Sequence, residues 1–498
     1  MASGTLPAQG GLPDYGVVRV PGPSLLTEGT APGMAAQLGG AVAVQGFGWN
    51  TEDARRGWFF AAYDGVAAAQ LAADTARVRS QSDPAFGGAV VVPGGLLTLR
   101  KMVYRSRDPR YRIGGSAVVV ELVRARADDR GLEVVPVDSV AVTAEEIASG
   151  LERGWFAFGV RELGGWQSDT VRVFTGMASL DPALQARAEL RSYVPDGARG
   201  YRLAKTLRLA DGIIFEDFPL CAWTAGDTLG RLEHYGYPRE PIHAAVRYFN
   251  RHTGRLLGVH RVKDDHGLPH AVPSPANGLG YMTVSPVVEP PGGRPRALVE
   301  VDAFDLRTAR PAWRRTWDAP PGWHHASVLP VSRVDSTGHV AVTAYEEGRD
   351  RSAARPDRHS RVVVRAHDAR AGDSLWVTRV RLDSAATDAW TAGPMDVAVR
   401  PGGRGYVVAC WTADYALDAN RPELGYAYTT LIFLDSLGCA APGCRDASGA
   451  AGPAALRGGG CATPSSTRGA AASRRARSRL RARALRWRRR GWRRGRTT

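Results

Sequence analysis

The residues best suited to chemistry fall in a few short strings. HRVKDDHGLPH holds His260, His266 and His270, with Asp264 and Asp265 between them. Imidazole and carboxylate donors at that density bind a metal only if the chain converges them on one ion. As a run they read equally well as a polar loop, and no metal site is expected. Trp323 is followed by His324 and His325 just ahead of an apolar strand, which makes these two imidazoles candidates for facing an interior channel. Glu346 and Glu347 end a strand beside Gly348. Paired carboxylates can act as general acid and base, but a strand end predicts that these two face solvent. The strings HExxH, GxSxG, GxxxxGKS/T and GxGxxG do not occur. The local signatures of zinc proteases, serine hydrolases and nucleotide-binding loops are therefore missing, and the sequence assigns no catalytic residue and no cofactor.

The elements that must position such residues come from composition and periodicity. The chain has 498 residues, 44% hydrophobic and 23% charged, which is ordinary globular content and excludes a wholly disordered chain. No run of eighteen apolar residues occurs, so no membrane-spanning helix is expected. The 58 glycines and 32 prolines favour short strands and turns over long helices. Residues 144–151, AEEIASGL, are the one convincing helix candidate.

Three segments repeat one pattern of alternating strand, short polar turn and second strand. They are AVRYFNRHTGRLLGVHRV (245–262), LVEVDAFDLRTARPAWRRTW (298–317) and RVVVRAHDARAGDSLWVTRVRL (361–382). Asn250, Asp305 and Asp368 hold the same place at the end of the first strand, 55 and 63 residues apart. Side chains of this type hydrogen-bond the turn backbone, and Gly254 and Gly372 supply positive φ. Asp435 in LIFLDSLG follows 67 residues after Asp368, and Asp64 in WFFAAYDG lies 186 residues before Asn250, room for three periods of 62. SAVVVELV (116–123) and DTVRVFTG (169–176) fill that gap, so the landmarks fall near 64, 122, 174, 250, 305, 368 and 435. About four strands per period is the signature of a propeller blade.

The fold predicted is therefore all-β, a propeller of four-stranded antiparallel blades. Seven blades fit the landmarks, with six and eight as alternatives. An open ring would leave two unpaired edges, so VVRV at 17–20 is expected to share a blade with the C-terminal strands. The propeller body is placed at 17–444, after a disordered stretch at 1–16. The eleven tryptophans of this body are dispersed at strand positions such as Trp58, Trp223 and Trp411, which favours core packing over a sugar-binding platform.

The formal net charge of +16 is misleading, because residues 445–498 carry sixteen arginines and one acid, leaving the body close to neutral. A nucleic-acid-binding body has no electrostatic support. The Arg-rich, low-complexity tail is expected to be disordered and to touch phosphates only non-specifically. It reads either as a solvated basic tail or as a GC-rich gene translated out of frame, in keeping with only three lysines in the chain. Of the five cysteines, Cys439 and Cys444 flank a short Gly/Pro loop. They form either a small disulfide or two free thiols. The N-terminus shows neither a basic nor an apolar segment of a signal peptide, which taken at face value predicts a cytoplasmic chain.

The turn copies, typified by AHDARAGDSLW (366–376), resemble the repeat of the pyrroloquinoline-quinone-like propeller superfamily. The resemblance spans about residues 245–435 and implies that Trp313 and Trp376 pack between adjacent blades. Arg310 stands for the turn glycine in one copy and Gly258 for the tryptophan in another. The quinone cofactor is not implied, since no two cysteines are adjacent. TTLIFLDSLGCAAPGC (429–444) is similar to the end of the propeller region in exported Bacteroidetes-type proteins of the type IX secretion pathway. That likeness implies a secreted or cell-surface protein, in which a Cys439–Cys444 disulfide would persist.

The function expected is a non-catalytic, monomeric binding scaffold for a protein, glycan or small ligand. One alternative is a propeller enzyme (hydrolase, lyase or quinoprotein) with its site at the central channel. The other is an intracellular scaffold with a nucleic-acid-binding tail.

Overall fold

The structure, a computed structural model, describes residues 16–20, 29–38, 41–50, 55–63, 70–73, 86–92, 95–105, 113–125, 132–143, 151–163, 170–179, 188–197, 200–210, 213–214, 218–235, 243–263, 270–288, 296–325, 330–349, 360–381, 390–400, 405–414 and 426–439. Every regular element among them is a strand. All belong to one compact unit, Met1–Asp350 with Arg358–Leu456. The second unit, residues 351–357 and 457–498, lies outside the described residues and includes most of the Arg-rich tail.

Antiparallel pairing sorts these strands into four-strand groups. Group I comprises Gly29–Leu38, Ala41–Asn50, Arg55–Tyr63 and Gln70–Ala73. Group II comprises Phe86–Val92, Gly95–Arg105, Ile113–Ala125 and Leu132–Thr143. Group III comprises Leu151–Glu162, Val171–Ser179, Ala188–Asp196 and Gly200–Arg208. Group IV comprises Phe218–Ala225, Thr228–Tyr235, His243–Asn250 and Leu256–Lys263. Group V comprises His270–Ser274, Leu279–Val284, Val299–Asp305 and Pro311–Trp317, with a small ribbon, Val287–Val288 and Arg296–Ala297, between its second and third strands. Group VI comprises Val331–Val334, Val340–Arg349, Ser360–Asp368 and Ser374–Arg381. Group VII comprises Trp390–Val399, Gly405–Asp414 and Tyr426–Asp435, and its fourth strand is the N-terminal Gly16–Val20, paired from Gly16 with Phe433 to Val20 with Thr429.

The first strand of each group packs on the first strand of the next, and that of group VII packs on that of group I, so the first strands close a cycle. Groups III and IV are joined further by parallel pairing of Val160–Glu162 with Ala222–Thr224. This is a β-propeller. The N-terminal strand in group VII removes the free edge that an open ring would carry.

The core is divided among the seams between groups. Val90, Leu97, Val120, Val173 and Tyr193 fill the seam of groups II and III, and Trp223, Val246, Met282 and Phe304 fill that of groups IV and V. Strands covered on both faces read as apolar runs, and Val362, Val363 and Val364 are all fully buried. An outer strand such as Pro311–Trp317 instead alternates exposed with half-buried positions.

The repeated turns tie each group together at its rim. Asp305 Oδ1 accepts the Arg307 and Thr308 backbone N–H groups at 2.9 and 2.8 Å. Asp368 Oδ1 does the same for Arg370 and Ala371, at 2.9 and 2.7 Å. Asn250 Oδ1 accepts from His252 and Thr253, and Asp435 Oδ1 from Leu437 and Cys439. Left-handed backbone follows in each turn, at Gly254, Gly372 and Gly438, while in group V it falls on Ala309, with φ 57°. Ala309, and not Arg310, thus stands where the other copies have glycine. Asp64 lies outside the described residues, and so do residues 144–150 of the helix candidate, while Leu151 opens a strand.

One landmark is displaced. DTVRVFTG forms the second strand of group III, and the counterpart of the other turns is Asp196, at the end of AELRSYVPD. Glu189 and Arg191 hide that strand from an apolar scan. Their side chains are consumed in an inter-group pair, Arg191 Nη1 to Asp138 at 2.7 Å and Nη2 to Glu189 at 2.9 Å.

Tryptophans fasten successive groups through these same turns. Trp223 Nε1 donates to Leu306 O at 2.8 Å, and Trp313 Nε1 to Ala369 O at 3.0 Å. Each carbonyl also receives a tyrosine hydroxyl, from Tyr248 and Tyr281 respectively. Trp376 is half-buried; it packs on Tyr406, and its ring lies under Gly438, where a Cβ would collide with it.

Candidate functional site

Four ionisable side chains on first strands converge across the cycle. Arg161 comes from group III, His270 from group V, Arg333 from group VI and Asp396 from group VII. Arg333 grips Asp396 with both carboxylate oxygens, at 2.9 and 3.0 Å, and its Nε donates to Val397 O at 3.0 Å. Asp396 Oδ1 also accepts the Val397 N–H at 2.8 Å. His270 Nδ1 accepts the backbone N–H of Ser332 at 3.3 Å.

Arg161 is the informative member. Its strand packs beside groups II and IV, yet the charges that act on it are those of Arg333 and Asp396, in groups VI and VII. Those charges reach it across the interior of the cycle. Burial, then the repulsion of Arg333, pushes the Arg161 pKa down to about 10 against the pull of Asp396. Burial, then Arg333, pushes His270 down to about 4, again opposed by Asp396, so its ring is neutral at pH 7. The cluster holds two guanidiniums, one carboxylate and one neutral imidazole. It can bind and orient a polar ligand. Its carboxylate is already committed to Arg333, so it is poorly placed as a general base.

Of the residues singled out in the sequence, only His270 enters this cluster. His260 lies on an outer strand, edge-on to Tyr248, and Asp264, Asp265 and His266 lie outside the described residues. Among the described residues no three His, Cys, Asp or Glu side chains gather as a metal site. His324 is exposed. His325 is buried, with Nε2 3.1 Å from Trp317 O and its ring edge-on to Tyr345. The segment Trp323–His325 pairs with the far end of Val340–Arg349, whereas Val331–Val334 meets the neighbouring first strands. Cys439 is buried; Cys444, and with it the question of their pairing, lies outside the described residues.

Glu346 and Glu347 require correction. Both are buried rather than solvent-facing, because the strand continues to Arg349 and is covered on both sides. Glu347 is held by Arg361 at 2.7 Å and faces Arg379 at 3.6 Å. The Arg361 guanidinium lies 3.7 Å over the Trp323 ring. Nearby in the seam of groups V and VI, His367 is fully buried edge-on to Trp313, and burial with the adjacent Arg365 pushes it down to about 3. These groups form an internal structural ladder, separate from the axial cluster.

Arg161, Arg333 and Asp396 were not visible as candidates in the sequence. Arg333 and Asp396 are each the one charge of an otherwise apolar first strand, in VSRV and MDVAV, whereas Arg161 is followed at once by Glu162 in GVRE. Such a charge is costly to bury without a partner, and that cost is the cue.

No protein-family model and no curated protein matches the chain. Among solved structures, Kuenenia stuttgartiensis hydrazine synthase is 13% identical, with 80% of this chain and 96% of that chain covered and a TM-score of 0.42. A Penicillium chrysogenum alpha-L-arabinanase complexed with arabinobiose is 13% identical over 71% of this chain and 93% of that one, TM-score 0.41. The quinohemoprotein alcohol dehydrogenase of Comamonas testosteroni is 10% identical over 84% and 76%, TM-score 0.39. Likeness at that level assigns no activity, and the fold rests on the strand pairing described above.

Proposed function

We propose that the chain is an exported, non-catalytic propeller of seven blades that binds a small ligand at its axis. The observation that carries this reading is the Arg333–Asp396 ion pair, with His270 held on Ser332 beside it and the charge of Arg161 acting on it, so that four different first strands contribute. Charged groups gathered at the centre of a repeat fold, with Asp396 buried and the other three half-buried, are not needed for packing, which the seams between groups already supply. Asp396 held by both oxygens and His270 held neutral favour recognition over acid–base chemistry. Export rests on the LDSLGCAAPGC string and its likeness to type IX cargo, with the propeller body at 17–444 and the Arg-rich segment at 445–498 outside it.

A small-molecule library screened by thermal shift tests the axial site, with the double variant Arg333→Gln, Asp396→Asn as counter-screen. The variant replaces the ion pair with amides of similar size. Binders that lose their shift in the variant support the axis. Binders that all shift the variant as they shift the parent chain place recognition on another surface and overturn the reading.

A further inference from the structure

Group VI presents two unlike faces to its neighbours. Val342, Ala344, Val362 and Val364 line the apolar seam with group VII. Thr343, Tyr345, Glu347, Arg361 and Arg365 alternate with them on the same two strands and face group V.

Near the axis this polar face satisfies itself. Ser332 Oγ lies 2.5 Å from Thr283 Oγ1 and 2.9 Å from Thr343 Oγ1, and the Ser332 N–H is taken by His270. Farther along the same strand it does not. The Tyr345 hydroxyl, Glu347 Oε1 and His325 Nδ1 are buried with no hydrogen-bond partner among the described residues. Tyr345 and Glu347 are fully buried, and His325 is 6% exposed.

We propose that this part of the seam is a binding site for internal water, held by Tyr345, Glu347 and His325. The site is separate from the axial cluster and does not rest on the reading of the axis. Its three atoms belong to one patch. His325 is the direct register partner of Glu347. Tyr345 is the next residue on the same face, and its ring stands edge-on to His325 with centroids 5.2 Å apart.

The hydrogen-bond inventory selects the ligand. His325 Nε2 lies 3.1 Å from Trp317 O. A carbonyl only accepts, so the proton of the neutral ring sits on Nε2 and Nδ1 is left as an acceptor. The Glu347 carboxylate is held through Oε2 by Arg361, at 2.8 and 2.7 Å, and offers Oε1 as a second acceptor. The Tyr345 hydroxyl is a donor. The Arg365 guanidinium, stacked on Trp317 at 4.9 Å, approaches that hydroxyl without a bond of normal geometry. The ligand must therefore donate two hydrogens and accept one, which a single water does. Polar atoms buried dry are costly, and interior waters relieve such sites with about three bonds each. A metal cation is opposed by Arg361 on the carboxylate and by Arg379 at 3.6 Å from it. An anion would meet two acceptors.

A crystal structure of the full chain, at a resolution that shows ordered water, tests the site directly. Density of a water oxygen is expected at about 2.7–3.2 Å from Glu347 Oε1, His325 Nδ1 and the Tyr345 hydroxyl. Absence of density there, or a metal ion or anion in its place, would overturn the proposal. In solution, the His325 Hε1 resonance, assigned by its loss in His325→Phe, should show a cross-relaxation peak to water. The peak should persist in Tyr345→Phe, which has no hydroxyl to relay it and leaves the water two partners. Loss of the peak in that variant, or its absence in the parent chain, would overturn the site. Tyr345→Phe should also unfold at lower denaturant. A shift to higher denaturant is the sign of relieving a dry buried hydroxyl, and would count against bound water.

Discussion

The rim and the axis of this propeller are built by opposite rules. At the rim, one device recurs: a turn acid or amide folds its own backbone, and the turn carbonyl then receives an indole N–H from the preceding group. Trp223 on Leu306 and Trp313 on Ala369 reach the equivalent turn carbonyl from different strands, the first of group IV and the fourth of group V. At the axis nothing repeats. Group III gives an arginine, group V a histidine, group VI an arginine and group VII an aspartate. A solenoid-like array gains stability from like contacts between neighbours, so rim positions are held in common. Positions facing the axis are free to differ, and that asymmetry is where recognition can arise.

Acid should break the two regions together and by the largest margin. His270 at the axis is held at about 4 and His367 at the rim at about 3, both by burial. Arg333 and Asp396 face the first; Arg365, Asp368 and Arg315 face the second. A folded-state pKa below the unfolded value of about 6.5 means that the unfolded chain binds more protons. The stability these neutral rings contribute is full above about pH 6.5 and is lost as pH falls toward 4 and then 3. The loss is on the order of several kcal/mol for the pair. Denaturant midpoints across that range should therefore fall, and His367→Phe, which keeps an aromatic ring between Trp313 and Trp317, should flatten the lower part of the curve. An unchanged profile in His367→Phe would show that this ring titrates normally.

Trp223→Ala should be the most damaging single rim substitution. The side chain is fully buried, stacks near Tyr248 and Phe304, and satisfies Leu306 O. Truncating a buried tryptophan costs about 3–5 kcal/mol. Equilibrium unfolding should show that loss, and Gly230, against which this indole lies so closely that a Cβ would collide with it, has no side chain to refill the cavity. Trp376→Ala tests the same device at the seam of groups VI and VII. Here the indole is only half-buried and makes its contacts with Tyr406 and Gly438, so about 2 kcal/mol is expected, below the range for a core position. Equal costs at the two positions would mean that burial does not rank the seams.

The rim was largely legible in the sequence because its chemistry is local. An Asp or Asn, a left-handed residue four positions on and a tryptophan four beyond that can be read from one string. Legibility failed where local composition was overruled. In group III the charged strand AELRSYVPD yielded its place to the more apolar DTVRVFTG, because Arg191 is matched by Asp138 from the preceding group. Glu347 looked like a solvent-facing strand end because Arg361, its partner, arrives from the next strand. The axis was illegible for the same reason in a stronger form. Arg161 and Asp396 are 235 positions apart in the chain, and no pattern within one repeat signals that they face each other.

The turn residues themselves set the smallest expected effect and the finest test of the repeat. Asp368 Oδ1 accepts two backbone N–H groups, and Asn250 makes the equivalent pair of bonds with an amide oxygen. The two turns therefore use acceptor geometry, with charge as a secondary contribution. Asp368→Asn should be close to neutral, since Asn is what the group IV turn already carries. Asp368→Ala leaves two N–H groups to solvent at an exposed turn and should cost about 1 kcal/mol, the usual value for a lost side-chain cap. The same ordering is expected at Asp305, where Thr308 Oγ1 adds a third bond to the carboxylate at 2.9 Å. Unfolding midpoints of the four variants decide the matter. If the Asn variants fall as far as the Ala variants, charge rather than shape holds these turns, and Asn250 must be compensated elsewhere in group IV.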